Sequence, residues 1–149
     1  MSFEDEIYTK LNADSTLLAS LTGGMFRGET IKSTGINRTN TPTAYATNGT
    51  LKPLGVVRGR DMNAIPAIKT PKDGTRLIRQ VVEVYLYSDA DAGWTTLNTA
   101  KDRVLTLLDM KPLTSAFPLQ FVNEVVFRET PMQNACAIRL EFAVTGRGA

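Results

Sequence analysis

The stretch from Arg76 to Ser88 sets the tightest limit on what this chain can become. Ile78, Val82, Val84 and Leu86 occupy even positions with Gln80, while Leu77, Val81, Tyr85 and Tyr87 occupy odd positions with Arg79 and Glu83. Successive side chains of a strand point to opposite faces. Both faces of this strand are therefore partly apolar, which predicts a central strand covered on both sides. A central strand needs neighbours, and residues 120–129 and 134–145 supply them as a hairpin around Thr130-Pro131-Met132-Gln133. In the last strand Cys136, Ile138, Leu140, Phe142 and Val144 face one way and Ala135, Ala137, Arg139, Glu141 and Ala143 the other. That is the pattern of a half-buried antiparallel strand. Cys136 then reads as a small buried hydrophobe rather than a reactive thiol. Gly146-Arg147-Gly148-Ala149 reads as a loose tail.

Helices flank these strands. Phe3, Ile7, Leu11, Leu18 and Leu21 recur at helical spacing over residues 3–21, with Glu4, Asp5 and Glu6 in the first turn, where the helix dipole favours acids. Asn12-Ala13-Asp14-Ser15 interrupts the pattern, and Asp14 can cap a short second helix that ends before Gly23-Gly24. Residues 92–109 predict the main helix, with Trp94, Leu97, Ala100 or Lys101, Val104, Leu107 and Leu108 on one stripe. Trp94 reads as a core anchor, Asp89, Asp91 or Ser88 as the cap, and Lys111-Pro112 as the stop. The expected fold is a two-layer α+β domain over residues 1–149, mainly antiparallel, with helices on one face.

Residues 22–75 differ from the rest. They are rich in Thr, Asn, Gly, Pro, Lys and Arg and read as a long polar loop or arm. Thr43–Thr47 and Leu54–Arg58 are candidate short strands joined at the Asn48-Gly49 turn. A structureless stretch of this length is uncommon in a compact domain unless it has a task. The two readings are a floppy insertion and an arm that orders on a neighbouring subunit. The region carries a net charge of +5 and the remainder −3, within a total of +2. Arg27, Lys32, Arg38, Lys52, Arg58 and Arg60 are the candidate partner-interface residues, facing an acidic protein or DNA, against the plainer reading of a solvated loop.

Composition removes most chemistry. Histidine is absent, which excludes Ser-His-Asp and Cys-His catalysis and His-ligated metals. A single cysteine excludes an internal disulfide and a Cys-pair zinc site. No apolar run approaches the roughly 18 residues that span a bilayer. The acidic start, Met1-Ser2-Phe3-Glu4-Asp5-Glu6, does not fit a secretory or organelle-targeting signal. No phosphate-binding loop occurs, and Gly55-Val56-Val57-Arg58-Gly59 lacks the dinucleotide fingerprint and fits a bend in a strand. The carboxylate pairs Asp89/Asp91 and Asp102/Asp109 fit a helix cap and a solvated face. The expectation is a non-enzymatic protein with no cofactor and no membrane partner.

Three local strings and the element order resemble the tail-terminator or tail-completion proteins of long-tailed bacteriophages. The first runs from Ile7 through the Ala13-Asp14 break to Leu21 and the glycines Gly23-Gly24. The second is Val81-Val82-Glu83-Val84-Tyr85-Leu86-Tyr87, followed by Ser88-Asp89-Ala90-Asp91 and the helix to Leu108. The third is the closing hairpin with Ile138-Arg139-Leu140-Glu141-Phe142-Ala143-Val144. The resemblance covers a little over half of the chain, and the family's connection at 22–75 is shorter. It implies a virion structural subunit, assembled in the host cytoplasm, that forms a ring of six copies. Such a ring stops tail-tube growth and joins the tube to the head-side connector. Double-stranded DNA would pass through without specific binding, and the basic region would meet protein neighbours. The alternatives are a head-completion or stopper protein, a nucleic-acid-binding module using the basic residues, and an enzyme of unknown type.

Overall fold

The computed structural model describes residues 2–28, 36–60, 63–69, 76–89, 94–114, 118–129 and 135–148. Helix α1, Phe3–Asn12, opens on Ser2, whose hydroxyl accepts a hydrogen bond from the Asp5 amide. Its buried residues, Phe3, Ile7 and Leu11, lie four apart on one stripe. Helix α2, Ser15–Ser20, is capped by Asp14 as the sequence predicts: the carboxylate accepts the Leu17 amide at 2.8 Å. The same carboxylate takes a two-pronged bond from Arg103 at 2.8 and 2.7 Å. Arg103 belongs to α3, Trp94–Leu108, so one side chain both starts α2 and ties it to α3.

Among the described residues there are six strands, β1 (Met25–Arg27), β2 (Leu54–Gly59), β3 (Asn63–Lys69), β4 (Arg76–Ser88), β5 (Gln120–Glu129) and β6 (Ala135–Gly148). Their order is β1-β2-β4-β6-β5, with β3 also paired to β4. All neighbours run antiparallel except β1 and β2. Strand β4 is central, as expected. β6 follows it from Arg76↔Gly148 to Ser88↔Cys136. On its other edge β2 takes residues 82–87 and β3 takes 76–79. The result is a two-layer α+β domain.

The three described α-helices cover one face. Ile7, Leu11, Leu17, Leu97, Val104 and Leu108 pack with Val57, Val82, Val84, Leu86 and the Cys136–Val144 stripe of β6. Each such side chain contributes about 1.5–3 kcal/mol on burial. Cys136 lies in this core at 0% exposure. The opposite face carries a second cluster: Leu54, Val56, Tyr87, Ala135 and Ala137 are covered by Ala44 and Leu51. Part of the polar region is therefore a lid on the second face.

Several expectations need correction. Thr43–Thr47 is not a strand paired with Leu54–Arg58. Pro42–Ala44 makes a 3-10 turn, Tyr45 bridges Leu51, and Leu54–Gly59 pairs with β4 and β1. The turn at Asn48-Gly49 is real, with Gly49 at φ +85°, but it closes only that bridge. The closing strand is not half-buried: Ala135, Ala137, Glu141 and Ala143 are buried too, because the lid and a cluster of charged residues cover that face. Gly146-Arg147-Gly148 is not a tail, since these residues pair with Arg76, Leu77 and Ile78, whose backbone groups need partners. Trp94 is half-buried against the core, with Arg128 5.8 Å from its ring centroid. Asp91 and the turn 130–133 lie outside the described residues.

Candidate functional site

The face away from the helices carries the two buried charged residues among the described residues, Glu83 and Glu141. Leu54, Val56, Arg58 and Arg60 alternate onto it from β2 and the residue that follows. The ladders set Arg58, Glu83 and Glu141 in one row. Glu83 and Glu141 stand directly opposite each other on β4 and β6. Like charges so placed destabilise a sheet. Arg60 resolves the conflict: its Nε meets Glu83 Oε1 at 2.7 Å and its Nη2 meets Glu141 Oε1 at 2.5 Å. Arg139 Nε lies 3.4 Å from Glu83 and 3.3 Å from Glu141. Tyr85 donates its hydroxyl to Glu83 Oε2 at 2.8 Å.

Titration follows from these contacts. Burial by itself raises the Glu83 carboxyl, but the Arg60 and Tyr85 hydrogen bonds and the charges of Arg60 and Arg139 outweigh it and hold it below the usual range. The Tyr85 phenol is raised, by burial first and by its bond to Glu83 second. Arg60 is raised further by its Glu83 bond. In the cluster Arg60 bonds both acids, and Arg139 stands at ion-pair distance from each. These contacts tie the residue after β2 to β4 and β6.

Next to it runs an aromatic strip. Tyr85 and Tyr87 stack with centroids 5.9 Å apart, and Phe127 meets Tyr85 edge-on at 6.4 Å. Arg58 lies over the Tyr85 ring at 5.8 Å and is exposed. Glu4 closes the end of β2 from α1 by accepting the Gly59 amide at 3.0 Å. A Cβ at Gly59 would stand 2.7 Å from Gln80 Nε2, so only glycine fits there without movement.

The six candidate residues do not form one surface. Arg58 and Arg60 share the sheet face. Arg27 bonds Asp5 at 2.8 Å and lies over Tyr8, which fastens β1 to α1. Arg38 donates to the Gly49 carbonyl at 3.2 Å and lies over Tyr45, in the lid. Lys52 is half-buried and Lys32 lies outside the described residues. Sequence reasoning missed Glu83, Arg139 and Glu141 as one cluster with Arg60. The available signal was two long strands carrying acids and arginines on the face opposite their apolar stripes.

A shallow cavity of about 400 Å³ lies between α2 and α3, lined by Ala19, Ser20, Thr22, Pro53, Thr95, Thr96 and Thr99. None of these side chains titrates. Among the described residues no three His, Cys, Asp or Glu side chains are grouped to hold a metal ion. No described helix is long and apolar enough to cross a membrane.

No family model matches the chain, and no curated protein matches it. The fold has a counterpart among solved structures. It is similar to a chain of the virion of a native gene transfer agent particle, with a TM-score of 0.60 and 16% identity. The match covers 99% of this chain and 96% of that chain.

Proposed function

We propose that this chain is a structural subunit of a phage-type virion, and that within the virion it is a tail terminator. The observation that carries the reading is the end-to-end fold likeness to a virion-particle chain. A match over nearly all of both chains compares whole subunits rather than one shared motif. The matching strings at 7–24 and 81–108 and the closing hairpin that ends in 138–144 favour the terminator within that class. The sheet chemistry is consistent with it, because the buried carboxylates and the arginine beside them are spent on one another.

On this reading six copies form a ring on the head-proximal end of the tail tube. The ring halts tube growth and presents a surface to the head-side connector. Arg58 and Arg60 are both exposed on the sheet face, and since Arg60 is bonded to Glu83 and Glu141, Arg58 is the one that meets a protein neighbour, while DNA passes without specific contact. The test is polymerisation of the cognate tail-tube protein with and without this chain, viewed by electron microscopy. The reading expects capped tubes of limited length with a six-fold ring at one end. Unlimited tubes with bare ends would reject the terminator role.

A further inference from the structure

The edges of the sheet are not equally protected. β1 has three residues. β3 carries Pro66, which has no N–H to offer a ladder, and its register with β4 shifts between Ala64 and Lys69. The end of β6 beyond the reach of β5 carries Gly146 and Gly148. β5 differs from these over residues 123–129. It contains no proline, glycine or lysine and lies at the end of the strand order, and after a register shift between Phe121 and Asn123 it pairs regularly with β6 from Asn123 to Glu129. Long unblunted edges are templates for another strand.

The exposed apolar groups lie at the same edge. Phe121, Val122 and Val126 are 37%, 51% and 57% exposed. Met110, at 64%, is tied to the chain just before β5 by its amide N–H, which donates to the Leu119 carbonyl at 2.8 Å. These are all of the large exposed hydrophobics among the described residues. Concentration of exposed apolar groups marks an interaction surface.

The sequence of β5 says what pairs with it. Laid antiparallel against a second copy and centred on Val126, Val126 meets itself, Val125 meets Phe127, and Glu124 meets Arg128. A shift of one residue in one direction sets Glu124 against Glu129, and in the other sets Glu124 against Phe127. Cross-strand pairs of opposite charge and of apolar groups stabilise a ladder, and like charges oppose it. The other described edges are too short, too irregular or too glycine-rich to match the seven residues 123–129. We propose that β5 pairs with β5 of a second copy of this chain, antiparallel about Val126, forming a two-fold dimer of the free subunit. Such a contact closes on itself. It differs from the head-to-tail contacts of a ring and does not rest on the virion reading.

The test is the mass of the full chain in solution by light scattering over a range of concentrations, for the wild type and Val126→Lys. A second variant, Val126→Cys, is treated with a short bismaleimide; Cys136 is fully buried, so the engineered thiol is the reactive one. The pairing predicts a two-copy species, and two lysines facing each other raise its dissociation constant about tenfold or more, while at concentrations where both proteins are single copies the melting temperature is unchanged. Val126→Cys gives a covalent two-copy product. The pairing is overturned by a wild type of one copy at every concentration, by an assembly that Val126→Lys leaves unchanged, or by a cysteine variant that yields no two-copy product. A six-copy ring indifferent to Val126→Lys would discard the pairing and leave the proposed function standing.

Discussion

The two faces of the sheet are built from the same strands and closed by different means. Under the helices β4 and β6 present Val82, Val84, Leu86, Ile138, Leu140 and Phe142, and the closure is apolar. On the other face the same strands present Glu83, Tyr85, Arg139 and Glu141, and the closure is ionic in the middle and apolar only beneath the 36–53 segment. The first face resists by volume, since a lost side chain leaves a void. The second resists by charge balance, since a lost partner leaves two carboxylates facing each other. The two faces should therefore fail differently.

The largest effect is expected on the helix side. Phe142 has 0% exposure and meets Phe121 edge-on at 5.8 Å. Phe142→Ala should cost about 3–5 kcal/mol in denaturant unfolding, with little dependence on pH. A loss under about 1 kcal/mol would show that the helix face is not the main core.

The next effect separates the faces. Arg60→Ala leaves Glu83 and Glu141 opposed and should cost about 1–2 kcal/mol at neutral pH, a figure reduced because half of Arg60 faces water. The folded protein lowers the Glu83 carboxyl, so its contribution is present above the unfolded value of 4.5 and is lost as pH falls through the folded value. The gap between Arg60→Ala and the wild type should therefore close on acidification below about 4.5. A gap that stays constant into acid would mean that Arg60 acts by packing alone.

A smaller effect tests whether the helix side has an ionic contribution of its own. The Arg103 hydrogen bond, helped by the Leu17 amide, lowers the Asp14 carboxyl from 3.8 to about 2. Its contribution is full above 3.8 and disappears as pH falls toward about 2. Asp14→Asn keeps the cap and loses the ion pair. It should melt below the wild type at neutral pH, by less than Arg60→Ala, and match it near pH 2. A melting difference that persists at pH 2 would assign the loss to the cap.

Legibility in the sequence followed the range of the interactions. The β4 span was readable because its alternation is local and long. The Asp14 cap was readable because it acts on an amide three residues away. The 146–148 pairing was not, because two glycines carry no side-chain pattern. β1 is too short for periodicity, and Pro66 argues against a strand at 63–69 that holds an outer position on β4. The ionic cluster was hidden for a different reason. Arg60 reaches Glu83 across 23 positions and Glu141 across 81, and only the β4–β6 register brings the two acids together. Arg58 and Arg60 belong to one candidate set in the sequence and both are exposed, but Arg60 is bonded to Glu83 and Glu141 while Arg58 lies over the Tyr85 ring.

The claim that carries furthest is that this chain is a virion component. Its most direct test is cryo-electron microscopy of purified particles, combined with mass spectrometry for the chain's copy number. The account predicts six copies per particle, as a ring at the head-proximal end of the tail. Particles that lack the chain would contradict it.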